Sequence, residues 1–228
     1  MPHFLDFFLF QILPYIAIVT FIMGTILRFD RDPYSWRTKS SQLLRRKQLV
    51  VGSILFHLGI LVVLAGHLVG LLTPIEVFDA LGISHRAKQI LAIILGGIAG
   101  VFCLVGLCLL LHRRLFDARI RKNSSWADIM VLLLLLIQLV LGLITIPFSM
   151  AHLDGHEMVK FMNWAQHIVT FGGNAHLFIA DVALVFKLHI VFGLLILVVF
   201  PFTRLVHALS APIGYVIRPY QIVRKRAK

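Results

Sequence analysis

The sequence predicts an all-α integral membrane bundle of five transmembrane helices, and three observations carry that prediction. Hydrophobic residues fill 59% of the 228 positions against 14% charged, and the mean hydropathy is +0.92, a balance that excludes a soluble domain built around one core. Five apolar runs are each long enough to cross a bilayer, which takes about 20 helical residues. Lysines and arginines fall almost entirely in alternate loops. A formal charge of +12 would suit a nucleic-acid binder if it were spread over one surface; its confinement to loops on one side points to a membrane instead.

Segment one, 4–27, starts from MPHFLD with no basic leader and no small-residue cleavage site behind it. Arg28 and the basic loop that follows read as a stop, so a membrane helix is expected and not a cleaved signal. Segment two, 49–72, carries His57 and His67 inside its apolar run, with Gly52, Gly59 and Gly66 recurring every seven residues on nearly one helix face. That bare face is expected either to leave room for something flat beside the imidazoles or to admit a neighbouring helix. Segment three, 89–111, holds Cys103 and Cys108, read as small packing residues. Segment four, 127–150, leads into a longer loop. There Met158, Phe161, Met162, Ala165, Ile168 and Val169 share one helix face, while Lys160, Asn163 and His167 take the other. This predicts an amphipathic helix over about 156–170 on the outer membrane surface, ended by Gly172-Gly173-Asn174. Segment five, 183–206, has His189 near its start and His207 at its far end. The whole chain, 1–228, reads as a single membrane domain.

Eighteen of the 22 basic residues lie between segments one and two, between three and four, or from Arg204 onward. Only Arg86, Lys88, Lys160 and Lys187 fall on the other side. By the positive-inside rule the N-terminus is expected outside (periplasmic) and the tail, 208–228, in the cytoplasm. An odd number of crossings requires the same arrangement.

An ionisable side chain deep in a membrane run is costly and marks a functional site by default. One such histidine is more often a hydrogen-bonded structural residue than a ligand; two on each of two segments point to ligand pairs. Segments two and five run antiparallel, which sets His67 level with His189 towards the outside, and His57 with His207 towards the cytoplasm. Each pair supplies two imidazole nitrogens to an iron gripped between helices, with two haems stacked across the membrane. The spacings conflict. His57 and His67 are ten residues apart, about 15 Å of helix, but His189 and His207 are 18 apart, about 27 Å. A kink at Pro201, helix tilt or rotated haem planes are expected to absorb the mismatch.

Other chemistries fit less well. There is no CxxCH for covalent haem, and two cysteines cannot hold an iron–sulfur cluster. No HExxH or carboxylate cluster accompanies the histidines, and no Ser–His–acid or Cys–His set sits at one depth. A haem-free transporter that uses buried histidines as a proton relay is the reading from a different class.

Taken together, PYSWRTKSSQ (33–42), FHLGILVVLAGHLVGLLTP (56–74), RRLFDARIR (113–121), HLDGHEMVKFMNWAQHIVTF (152–171) and FKLHIVFGLLILVVFPFTRLVH (186–207) resemble the gamma, cytochrome b subunit of membrane-bound respiratory nitrate reductase. The resemblance runs over nearly the whole chain. It implies five crossings, two non-covalent b haems, and axial ligands at His57 with His207 (inner) and His67 with His189 (outer). It further implies quinol oxidation at the outer haem, with Lys88 in SHRAKQIL and His67 forming the quinol site. Electrons would pass inward to a cytoplasmic iron–sulfur (beta) subunit and a molybdenum (alpha) subunit that reduces nitrate, at a bacterial or archaeal inner membrane. Alone, Lys88 reads as an interfacial lysine whose ammonium snorkels to water. Arg113, Arg114 and Arg204 stay open between haem-propionate donors and topology signals. The apolar residues Tyr215, Val216, Ile217, Tyr220, Ile222 and Val223, set among tail charges, are expected to dock on the iron–sulfur subunit. A di-haem cytochrome b of another respiratory complex, such as a hydrogenase or a heterodisulfide-reductase-like assembly, is the nearest alternative.

Overall fold

The computed structural model describes residues 2–32 and 44–210. The PYSWRTKSSQ stretch and the apolar residues of the tail lie outside them. The described elements are all helical: α1 (Phe4–Arg31), α2 (Arg46–Leu72), α3 (Ile75–Ala80), α4 (His85–Phe116), α5 (Ala118–Lys122), α6 (Trp126–Ala151), α7 (His156–Val169) and α8 (Leu184–Val199). Five of these are long and apolar enough to span a membrane, α8 with the 3-10 turn that follows it to Phe202. The chain is a multi-pass membrane protein. Several helices run past their apolar cores into charge, since a solvated lysine or arginine ends hydropathy without ending a helix. Helix starts are set by side chains that accept the otherwise unpaired first N–H groups. The Ser84 hydroxyl accepts from the Ala87 N–H at 3.2 Å, and Ser125 and Asp128 form a reciprocal capping box at the head of α6.

The helices pack as a row: α2 on α4, α4 on α6, α6 on α8, and α8 on α1. The closest approach is α2 on α4, and glycine permits it. A Cβ on Gly59 would lie 2.6 Å from the Ala99 carbonyl oxygen and 2.7 Å from the Cys103 nitrogen. Gly52 and Gly59 thus belong to helix–helix packing, while Gly66 faces open space. Cys103 is buried in this seam as a free thiol. By contrast, α2 and α8 make no extended packing with each other.

One end of the bundle is covered. Pro14 has no N–H, so the carbonyl four residues back, on Phe10, loses its helical donor. The Trp164 indole N–H, carried on α7, donates to that oxygen at 2.8 Å, and α1 accommodates the site with a π-helical turn over Phe8–Ile12. Gln166 reaches the Leu71 and Thr73 carbonyls at the end of α2, each at 3.2 Å. Met162, Trp164, Ala165 and Ile168 form the buried face of α7, and the last three belong to a cluster with Phe10, Ala175, Ile179, Val182 and Phe186. The sequence pattern placed Val169 on that face; it is exposed, and Trp164 takes the position because its indole has a carbonyl to serve.

At the opposite, basic end segment five does not continue to 206 as a helix. Pro201 cannot donate to the Leu197 carbonyl, which accepts from the Phe200 N–H in a tightened last turn instead. A 3-10 turn, Phe200–Phe202, follows, then extended Thr203 and a second 3-10 helix, Arg204–Leu209. The break leaves carbonyls that need donors, each costing several kcal/mol if bare in lipid. Arg28 Nη1 donates to the Pro201 oxygen at 2.6 Å and to the Thr203 oxygen at 2.7 Å.

Candidate functional site

The slot between α2 and α8 is bridged by histidines. The His67 and His189 ring centres are 6.0 Å apart near the capped end, with planes at 42°. His57 and His207 are 6.2 Å apart towards the basic end, with planes at 72°. A metal–imidazole bond of about 2.0–2.1 Å on each side, plus roughly 1 Å from each nitrogen to its ring centre, separates two axial rings by about 6 Å. Both pairs match that span. The ten-versus-18 mismatch is resolved by the break after Val199, ten residues beyond His189. The unwound turn then carries His207 to the level of His57.

Local hydrogen bonds orient three of the four rings. His57 Nδ1 lies 2.7 Å from the Ser53 carbonyl oxygen and His67 Nδ1 lies 2.8 Å from that of Val63, each four residues back on α2. His207 Nδ1 is 2.5 Å from the Arg204 carbonyl oxygen. A proton on Nδ1 donated there leaves Nε2 with a free lone pair, the form a metal ligand requires. His189 differs. Its Nε2 is 3.4 Å from Gln138 Nε2, and its Nδ1 is buried with no partner among the described residues. Its ring lies against Gly142 of α6, where a Cβ would come within 3.0 Å of Cε1.

The surroundings fit a flat group. His57 and His67 are exposed inside apolar helices, and a Cβ on Gly66 or Gly70 would meet nothing within 4 Å. Among the described residues, no three His, Cys, Asp or Glu side chains converge on one point. A metal held by either pair would therefore take its remaining ligands from a non-protein group, as haem iron does.

Lys88 departs from the snorkelling expectation. It is 7% exposed, and its Nζ donates to the Gly70 carbonyl oxygen at 3.0 Å and to Met162 Sδ at 2.8 Å. The same ammonium sits 3.7 Å from the Phe78 ring centre. It ties α3 and α7 to α2 one helical turn from His67. Arg114 and Arg204 both engage Asp128, through Nη1 to Oδ2 at 3.3 Å and Nε to Oδ1 at 2.8 Å, and Arg113 donates to the Leu44 carbonyl at 2.6 Å. Asp128, Arg28 and Gln138 are site neighbours that sequence reading missed. Two read as ordinary end-of-helix charges, and Gln138 had no pattern to mark it.

Comparison with known proteins gives a consistent answer. A family model described as nitrate reductase gamma subunit matches residues 6–226. The respiratory nitrate reductase 1 gamma chain of Escherichia coli K12 is 48% identical over 224 residues, spanning 98% of this chain and 99% of that one. The respiratory nitrate reductase 2 gamma chain of the same organism is 49% identical over 226 residues, 99% of this chain and 100% of that one. The nitrate reductase gamma chain of Bacillus subtilis is 42% identical over 219 residues, 96% of this chain and 98% of that one.

Proposed function

Since the chain belongs to the nitrate reductase gamma-subunit family and is a membrane subunit of respiratory nitrate reductase, we propose that it is the complex's di-haem, quinol-oxidising cytochrome b. The observation that carries the proposal is the two imidazole pairs, 6.0 and 6.2 Å between ring centres, facing each other across a slot that helix packing leaves open. In this reading His67 with His189 and His57 with His207 hold two non-covalent b haems, and the capped end is the outer, periplasmic end. When bound, the haems supply one-electron transport from quinol at the outer end towards the iron–sulfur (beta) and molybdenum (alpha) subunits at the cytoplasmic face of the inner membrane.

The chain's own residues do the rest. The i–4 carbonyls of Ser53 and Val63 fix the tautomers of His57 and His67, and the Arg204 carbonyl does the same for His207. Lys88 binds quinol beside His67. Met162 sulfur is the weakest acceptor its ammonium has, and a quinol oxygen replaces it there with a stronger charge-assisted bond. Trp164 and Gln166 seat α7 against α1 and the end of α2 at this end of the bundle.

The reduced-minus-oxidised spectrum of the purified complex tests this, with haem extracted and counted against the gamma chain. Two b haems per chain are expected. A chain carrying none would leave the imidazole pairs as structural or proton-relay groups and end the proposal.

A further inference from the structure

His207 is the one slot histidine that does not stand on a transmembrane helix, and its position depends on the unwound turn that precedes it. That turn is held from two sides by charged residues on helices that carry none of the four. From α1, Arg28 donates to the Pro201 and Thr203 carbonyl oxygens at 2.6 and 2.7 Å. On the same helix, Gly24 leaves no room for a Cβ: one would fall 2.8 Å from Pro201 Cβ and Cγ, so α1 is pressed directly onto the break. From α6, Asp128, 7% exposed, accepts from Arg204 Nε at 2.8 Å, and the Arg204 carbonyl oxygen stands 2.5 Å from His207 Nδ1. Thr203 closes the turn internally, with its hydroxyl donating to the Phe200 carbonyl at 3.0 Å and accepting from the Leu205 N–H at 3.3 Å. Pro201, Thr203 and Val206 are all buried.

We propose that Arg28 and Asp128 are positioning residues for His207: together they fix the unwound turn that sets its imidazole opposite His57. The inference rests on the haem reading above and deepens it. An exposed charge at a helix end needs only to mark topology, whereas Arg28 Nη1 donates to two carbonyls of the unwound turn, those of Pro201 and Thr203. Asp128 likewise does more than cap α6. Its second oxygen, Oδ2, takes the Ser125 N–H, while Oδ1 is committed to Arg204. The basic-end site is thereby a four-element construction of α1, α2, α6 and the turn after α8. The capped-end pair stands on the two helices that carry it, with α6 touching the His189 ring through Gly142 and Gln138.

The test uses the full chain in its native membrane complex. Arg28→Met removes both hydrogen bonds, Arg28→Lys keeps a charged donor, and Asp128→Asn keeps a capping oxygen while removing the ion pairs to Arg114 and Arg204. Loss of a group that orients a metal ligand weakens binding about 10–100-fold. Arg28→Met is therefore expected to release the basic-end haem to apomyoglobin at least about tenfold more readily. The capped-end haem should remain, and the midpoint potential of the residual basic-end component should shift. Arg28→Lys should restore retention, and Asp128→Asn should lower it at the same haem only. If Arg28→Met does not accumulate in membranes, Asp128→Asn carries the test alone. Unchanged retention and potential in the accumulating variants would overturn the assignment, and so would equal loss of both haems. Failure of the haem reading itself looks different: the unmodified complex would lack haem, or His207→Ala would leave both components intact.

Discussion

The two imidazole pairs reach nearly the same separation by different backbone means. At the capped end, His67 and His189 both stand on continuous helices, and antiparallel geometry alone brings them level. At the basic end, His57 stands on α2, but its partner arrives on a turn that has left the helix and needs α1 and α6 to hold it. The ends also differ in ring support: three histidines have a local carbonyl for Nδ1, whereas His189 has a glycine-lined contact with α6 instead. A site's geometry can thus be fixed by few residues near the ligand or by many residues distant from it. The second design has more places to fail.

The largest effects come from the ligands themselves. His57→Ala and His207→Ala should each abolish the same low-spin haem component, and His67→Ala and His189→Ala the other, as read by haem content and potentiometric titration. Were His57→Ala and His67→Ala to remove the same component, the pairing across the slot would be wrong.

Next in size is Lys88, which has a counterpart only at the capped end's function and none at the basic end. Losing a hydrogen bond from a charged donor costs about 1.5–3 kcal/mol, or roughly ten- to 150-fold in binding. Lys88→Ala should lower quinol-driven nitrate reduction by that order, with both haems kept and dye-driven nitrate reduction normal. Loss of the capped-end haem alongside would instead assign Lys88 to holding α3 and α7 on α2, through Phe78 and Met162.

Gly142 sharpens the contrast in ring support. A Cβ there would lie 3.0 Å from His189 Cε1, and overpacking of this kind typically costs about 1–3 kcal/mol. Gly142→Ala should therefore loosen or shift the capped-end haem alone. Gly97→Ala, whose new Cβ meets only Ile146 Cδ1 at an ordinary 3.5 Å, is the control and should change neither component.

The smallest effect lies on the surface of the cap. Lys160 donates to Asp181 at 2.8 Å and to Glu157 at 3.0 Å. The hydrogen bond from Lys160 holds the Asp181 carboxyl below its ordinary 3.8, and the two carboxylates, Asp181 first, raise the Lys160 ammonium above 10.5. A depressed carboxyl stabilises the fold above its unfolded value and loses that contribution as pH falls through the folded one. The raised ammonium contributes below 10.5 and loses its share as pH rises through its folded value. Stability from this contact is thus flat around neutrality and declines at both extremes. An exposed pair contributes about 0.2–1 kcal/mol. Thermal unfolding of Asp181→Asn against the unmodified chain should show a small deficit at pH 7 that closes below about pH 4. A deficit that grows on acidification would contradict the contact.

Much of this arrangement was legible in the sequence, because apolar length, alternating basic loops and histidine depth are one-dimensional signals. The five spans and a helix over about 156–170 follow from them, whereas segment five reads as helical to 206, with a kink at Pro201 as only one of three ways to absorb the spacing mismatch. What escaped is polar pairing across helices. Arg28 and Asp128 count as a stop signal and a cap when read along the chain, and Arg204 stays open between topology and a propionate; only folding brings Asp128 against Arg204, or Arg28 onto the carbonyls of the unwound turn. Lys88 looked interfacial because it begins a helix, but Phe78 and Met162 close over it from segments ten and 74 residues away. The glycine series of α2 looked uniform, yet Gly52 and Gly59 serve α4 while Gly66 stays open. A seven-residue repeat gives a common face but does not say what that face meets along its length.

The indole–carbonyl contact between Trp164 and Phe10 also bears on biosynthesis. The two residues are 154 positions apart. At roughly 5–20 residues per second, the ribosome takes about 8–30 s to make that interval. Throughout that time the first helix is complete, but the Phe10 carbonyl that Pro14 leaves open waits for its donor. The N-terminal helix therefore begins its life in the bilayer unfinished and is completed only when the fourth has crossed and α7 folds back. Closure of the cap thus comes late in folding, and Trp164, one of three tryptophans in the chain, is buried in the Phe10 cluster once it is complete.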